Sequence, residues 1–239
     1  MKNYKLTNIT IKHNGATLRR IEATRTFRNG CSIVEAGEIG GFIESESNLR
    51  DNAWVYGNAK VYGGAVVSEF ASVAGHAEVF GLASVCGFAR VMNHAKVNGF
   101  ALVCDYALVI KRANVVQHAV VKGNAYISGR AIVGDYVTIM DNASVYHHAT
   151  VCGNAIVRGH ATICDRAVVC DRAEVGDHAV VRGEAMAFND SRVTGRVIVC
   201  GNAQLCTFAH VSGHAFIAGL SKVQGSSKID GDAILIDND

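Results

Sequence analysis

From Gly57 to Ile236 apolar and polar positions recur with a period of six, as GNAKVY, GGAVVS, EFASVA, GHAEVF and onward to GDAILI, without insertion or deletion. Across these 30 hexads position 1 is Gly, Asp or Asn in 25, and position 3 is Ala in 25. Position 5 is Val, Ile or Leu everywhere except Ala187. A helix turns every 3.6 residues and cannot keep one face against a period of six, and Val with Gly is poor helix material. Positions 3 and 5 point one way along a short strand, positions 4 and 6 point the other way, and the Gly, Asp or Asn supplies a corner. The pattern predicts strand, corner, strand, corner. Looser hexads (IGGFIE, SESNLR, DNAWVY) carry the frame back to Ile39 and make 33 in all.

Residues 1–38 do not fit the frame. Ile9 and Ile11 alternate, Asn14-Gly15 is a turn signal, and Leu18 and Ile21 follow, which predicts a hairpin. The expected organisation is a capping segment at 1–38, a repeat array at 39–236 and a tail at 237–239.

Composition sharpens this. Proline at its usual ~5% would supply roughly a dozen residues in such a chain, yet there is none among 239. In a chain where nearly every strand residue belongs to a ladder, proline would delete a donor. The net charge is +2, so charge must be argued locally. No leader-like apolar run opens the sequence and no stretch of 18 apolar residues occurs, which predicts a cytoplasmic protein with no membrane span and with reduced thiols. Eight cysteines are present, and all but Cys31 fall at position 6. No zinc-type spacing appears, so no metal site is expected.

A hexad in which an aliphatic residue is followed four positions later by a small one, as from Val61 to Ala65, resembles the left-handed parallel β-helix of hexapeptide-repeat proteins. The resemblance implies an all-β triangular prism of about 11 coils of 18 residues, here with an N-terminal β-hairpin cap. The stretch GEIGGFIESESNLRDNAWVYGNAKVYGGA (37–65) is similar to bacterial and prophage proteins in which GG-aromatic-IE-x-E-x-NL precedes GNAxVYG hexads, and this implies a phage or bacterial setting.

With 18-residue coils, residues 18 apart stack at about 4.8 Å. Position 2 then gives one basic edge of His76, His94, Arg112, Arg130, His148 and Arg166, widened by Lys111 and His147 at position 1. Stacked cations repel one another unless something negative lies along them, so this edge is a candidate anion or partner site. A second candidate is an apolar patch for oligomerisation or partner binding, made by Phe70, Phe88, Phe100, Leu102, Tyr106, Leu108, Ile110 and Tyr136. Cys86 stacks on Cys104 and Cys152 on Cys170, at a separation compatible with either free thiols or a disulfide.

Hexapeptide-repeat acyltransferases are the best-known proteins with this repeat. The resemblance implies a histidine base at a cleft between trimer subunits, with coenzyme A along the prism. His147, His148, His160 and His178 are the candidates here. The unbroken array leaves no projecting loop to carry such a site, and there is no nucleophile elbow, P-loop or dinucleotide fingerprint. The expectation is therefore a non-catalytic binding or scaffold protein that engages a protein partner, plausibly a host factor, and forms a homotrimer or homodimer. Acyl transfer with acetyl-coenzyme A is the alternative, and nucleic-acid binding is a third.

Overall fold

The computed structural model describes residues 2–237 and divides into two compact units, Met1–Gly123 (unit 1) and Asn124–Asp239 (unit 2). Between them they hold about 11 turns of parallel β-helix.

Unit 1 opens with the expected hairpin. Strands β1 (Tyr4–His13) and β2 (Ala16–Ala23) pair antiparallel. Asn14 (φ 46°) and Gly15 (φ 82°) form the left-handed turn between them, whose twist suits a two-residue hairpin. A second, smaller hairpin of β3 (Phe27–Asn29) and β4 (Ser32–Val34) follows, which the hydrophobic pattern does not announce. Strand β5 (Ile39–Ile43) pairs antiparallel with β2 on one side and parallel with Lys60–Val61 on the other, so it joins the cap to the helix. The hexad SESNLR departs from the strand pattern. Glu46–Asn48 is a 3₁₀ turn, because the buried Asn48 amide donates to the carbonyls of Gly63 (3.0 Å) and Ala65 (2.8 Å).

From Trp54 the chain winds as two-residue strands on three faces. In unit 1, face 1 carries Lys60–Val61, Glu78–Val79, Lys96–Val97 and Asn114–Val115. Face 2 carries Val66–Val67, Ser84–Val85, Leu102–Val103 and Val120–Val121. Face 3 carries Trp54–Val55, Ser72–Val73, Arg90–Val91 and Leu108–Val109. Within the unit successive rungs pair in parallel with the residue 18 positions on, for example Glu78 with Lys96. Unit 2 repeats the arrangement from Tyr126–Ile127 to Ile234–Asp237. Asp237, the first residue of the expected tail, belongs to that last strand, and residues 238 and 239 lie outside the described residues.

The core is the column of position 3 and position 5 side chains. Ala77, Val79, Ala95 and Val97 in unit 1 and Ala149, Val151, Ala167 and Val169 in unit 2 are all fully buried, and each buried Val contributes about 1.5 kcal/mol or more. Position 1 is a left-handed residue throughout, from Gly57 (φ 62°) to Gly231 (φ 70°). Gly153 shows why glycine recurs there: a Cβ would stand 2.6 Å from the backbone nitrogen of Asp171 in the next coil. Aspartate serves for a second reason. Its carboxylate accepts the position 1 N–H one coil ahead, as Asp141 does from Gly159 (2.9 Å) and Asp177 from Gly195 (2.9 Å). Turn former and ladder cap are the same side chain.

Candidate functional site

The helix core is alike in both units, so chemistry that distinguishes them sits at the corners. In unit 1 the corner between faces 2 and 3 stacks three rings, Phe70 on Phe88 (5.0 Å) and Phe88 on Tyr106 (5.1 Å), nearly coplanar in orientation. The 18-residue register makes this unavoidable, because identical positions in successive coils lie one above the other. The corner on the other side of face 2 carries Leu82 and Phe100, each 57% exposed, with Phe100 stacked on His118 at 4.8 Å. Val66, Leu102 and Val120 lie half-buried between the two corners. Face 2 of unit 1 is thus a strip of Val66, Leu102 and Val120, interrupted by Ser84, with exposed apolar side chains along both edges.

The residues expected to form one apolar patch fall on two faces, with Phe70, Phe88 and Tyr106 at the corner between them. Phe70, Phe88, Phe100, Leu102 and Tyr106 flank or line face 2, whereas Leu108 and Ile110 lie half-buried on face 3. Tyr136, 62% exposed, belongs to unit 2. Leu82 completes the strip and was missed from sequence. It sits one coil before Phe100 at the same position, a signal the 18-residue column does contain.

The expected basic edge divides by pairing. In unit 1, His76, His94, Lys111 and Arg112 are all exposed, and the rings of His76 and His94 stack at 5.0 Å. Among the described residues no carboxylate lies within ion-pair distance of these four. In unit 2, Arg130 and His148 are exposed at a corner, but Arg166 donates to Glu184 (3.1 Å). Arg172 pairs with Asp190 (2.8 Å), and Glu174 holds both Arg158 and Arg192. For Arg158, Arg166, Arg172 and Arg192 the negative charge that stacked cations require is supplied from within the chain.

The same corner of unit 2 contains an oriented histidine. His147 Nδ1 lies 2.9 Å from Asp165 Oδ1, and Asp165 Oδ2 accepts the Gly183 N–H at 3.2 Å. That backbone bond first, and the His147 contact second, hold the Asp165 carboxyl below its ordinary value of 3.8. An ionised Asp165 accepts, so Nδ1 donates, and in the neutral ring this leaves the lone pair on Nε2. His147, His148, Asp165, Arg166 and Glu184 surround a shallow hollow of about 500 Å³. His160 and His178 stack on each other at 4.9 Å on a different corner and are both exposed. Of the four candidate bases only His147 has an orienting carboxylate among the described ion pairs.

All eight cysteines are free thiols. Burial pushes Cys104 up to about 11 and Cys170 up to about 12, so neither presents a thiolate near neutral pH. Among the described residues no group of three or more His, Cys, Asp or Glu is placed to hold a metal ion, and no helix is long and apolar enough to cross a membrane.

No family model matches the chain, and no curated protein matches it. Among solved structures it is similar to the UDP-N-acetylglucosamine acyltransferase from Campylobacter jejuni, at 17% identity and a TM-score of 0.24, over 70% of this chain and 66% of that one. The chain spans a little under two thirds of that acyltransferase's length, and no residue role is carried across from it.

Proposed function

We propose that this protein is a non-catalytic binding scaffold, a β-helix that captures a protein partner through unit 1. The observation that supports it is the apolar strip on face 2, flanked by Leu82 and Phe100 on one side and by Phe70, Phe88 and Tyr106 on the other. Contiguous exposed apolar surface of this kind characterises interfaces, and aromatic side chains supply their anchors. The unpaired His76, His94, Lys111 and Arg112 favour an acidic rim on the partner. Replacing Leu82 and Phe100 together by Glu should abolish capture of a partner from a bacterial lysate, with the circular dichroism spectrum unchanged. Light scattering on the same variant reads self-association: if the partner is a second copy, the mass falls to that of one chain. Capture and mass both unchanged would sink the proposal.

Acyl transfer is the second reading, favoured by the His147–Asp165 pair alone. An imidazole held by a carboxylate, with Nε2 free, is the arrangement a general base needs. When bound, acetyl-coenzyme A would supply the activated acyl group. His148 is the neighbouring side chain without an ion pair that could meet its phosphates, since Arg166 is engaged by Glu184. A calorimetric titration with acetyl-coenzyme A decides between the readings. Saturable binding that weakens in His147→Gln would support this one, and the absence of binding would end it.

A further inference from the structure

The third face of unit 1 carries a different feature from the docking strip. The β3–β4 hairpin stands over this face, and a groove of about 510 Å³ opens between its tip and the ring ladder. Phe70, Phe88 and Tyr106 line it together with the hairpin tip residues Gly30 to Ser32, with Gly30 set against the Phe88 ring. The hairpin wall is pinned. Asn29, 4% exposed, donates its amide to the carbonyls of Asn52 (2.7 Å) and Phe70 (3.0 Å) and accepts from the Tyr56 hydroxyl (3.2 Å). Phe27 packs edge-on against the fully buried Trp54 at 5.7 Å, which fixes the base of the hairpin. A preformed concavity of this size, mostly apolar with a few polar groups, has the dimensions and character of a small-molecule site.

Its charge is one-sided. Arg90 is the only charged side chain lining the groove, and no carboxylate among the described residues lies within ion-pair distance of it. The nearby acids Glu69, Asp105 and Glu38 do not line the groove and accept from the Gly87 (3.0 Å), Gly123 (2.9 Å) and Glu35 (3.2 Å) N–H groups. Tyr56 and Arg90 both line the groove; burial raises the Tyr56 hydroxyl above its ordinary value, the Ser32 hydrogen bond opposes that, Glu38 adds to it and the Arg90 cation opposes it.

We propose that this groove binds a small aromatic anion, its ring against the edges of Phe70, Phe88 and Tyr106 and its negative group on the Arg90 guanidinium. The ring edges carry the positive part of the aromatic quadrupole and so favour a ligand's π face. The unpaired guanidinium supplies a forked donor suited to carboxylate, sulfonate or phosphate. This site shares the Phe70, Phe88 and Tyr106 column with the docking strip but opens on its face 3 side and rests on its own observations, the hairpin tip and Arg90.

Two probes of nearly the same shape test it: 8-anilinonaphthalene-1-sulfonate and its neutral analogue N-phenyl-1-naphthylamine, each titrated by fluorescence into the full chain. The sulfonate should bind at a single saturable site at least about ten-fold tighter than the neutral probe, a difference of roughly 1.4 kcal/mol. Ala74→Phe, which fills the floor of the groove, should remove that site. Arg90→Gln, at an exposed position on an unaltered coil, should reduce the preference for the anion to less than about three-fold. Leu82→Ser on face 2 should leave both titrations unchanged. Equal affinity of the two probes, full preference retained in Arg90→Gln, or loss of binding in Leu82→Ser would each overturn the assignment.

Discussion

Units 1 and 2 are built from one hexad and each buries its own position 3 and position 5 side chains, yet their corners carry different chemistry. Unit 1 stacks apolar rings at its corners and leaves His76, His94, Lys111 and Arg112 without ion pairs, whereas unit 2 sets Arg158, Arg166, Arg172 and Arg192 against carboxylates 16 or 18 residues away. The contrast shows what a repeat fixes and what it leaves open. Positions 3 and 5 are locked by packing against two other strands, so Ala and Val persist through both units. Position 2 faces water at every corner, and a column there is free to become aromatic, basic or self-neutralised. Only the first two leave a surface wanting a partner.

The largest expected effect breaks the comparison inside the cap. Trp54 occupies an outward strand position, yet it is fully buried because Phe27 covers it. Trp54→Ala should cost about 3–5 kcal/mol. In a solenoid whose coils contact only their neighbours, the damage should stay local. Hydrogen exchange should speed up at residues 27–73 far more than at residues 150–200, and equal loss in both stretches would contradict that picture.

A smaller effect sharpens the comparison at the paired corner of unit 2. Asp165 has a lowered folded pKa, so its contribution to stability is present above the ordinary value of 3.8 and is lost as pH falls through the lower folded value. Asp165→Asn keeps an acceptor for the Gly183 N–H but removes the charge that faces His147. Its acid unfolding curve should therefore be flatter than the wild type's below about pH 4, and a curve superimposable on the wild type would show the pair to be inert.

The smallest effect concerns Arg166. Its side chain and that of Glu184 are 74% and 58% exposed, and exposed pairs contribute about 0–1 kcal/mol. Arg166→Ala should move thermal stability by no more than about 0.5 kcal/mol and leave partner capture intact. Lost capture would return Arg166 to the functional edge from which its pairing with Glu184 removes it.

Much of this was readable from the residues. The six-residue register gave the strands and faces, and through the 18-residue stacking the Phe70–Phe88–Tyr106 and His76–His94 columns. The Asn14-Gly15 turn gave the first hairpin. Other features were hidden for identifiable reasons. The SESNLR hexad reads as a strand, and only the carbonyls of Gly63 and Ala65, close in space to Asn48, turn it into a 3₁₀ segment. The β3–β4 hairpin is too short to show a period. Its role as a wall depends on Asn29 meeting carbonyls 23 and 41 residues away.

The sequence by itself determined the fold, because a period of six with alternating inward residues admits strands and corners and excludes helices. Which side chains share a column followed only with the three hexads per coil that the resemblance to hexapeptide-repeat β-helices implies, an 18-residue register that the parallel pairing shows, as between Glu78 and Lys96. Tertiary structure alone decided which columns are spent and which are available. Whether a cation finds a carboxylate depends on side-chain reach across coils, as with Arg158, Glu174 and Arg192. Whether a ring column becomes a groove depends on what stands opposite it. For Phe70, Phe88 and Tyr106 that is a hairpin more than 35 residues earlier in the chain, placed by the buried amide of Asn29 and by the packing of Phe27 on Trp54.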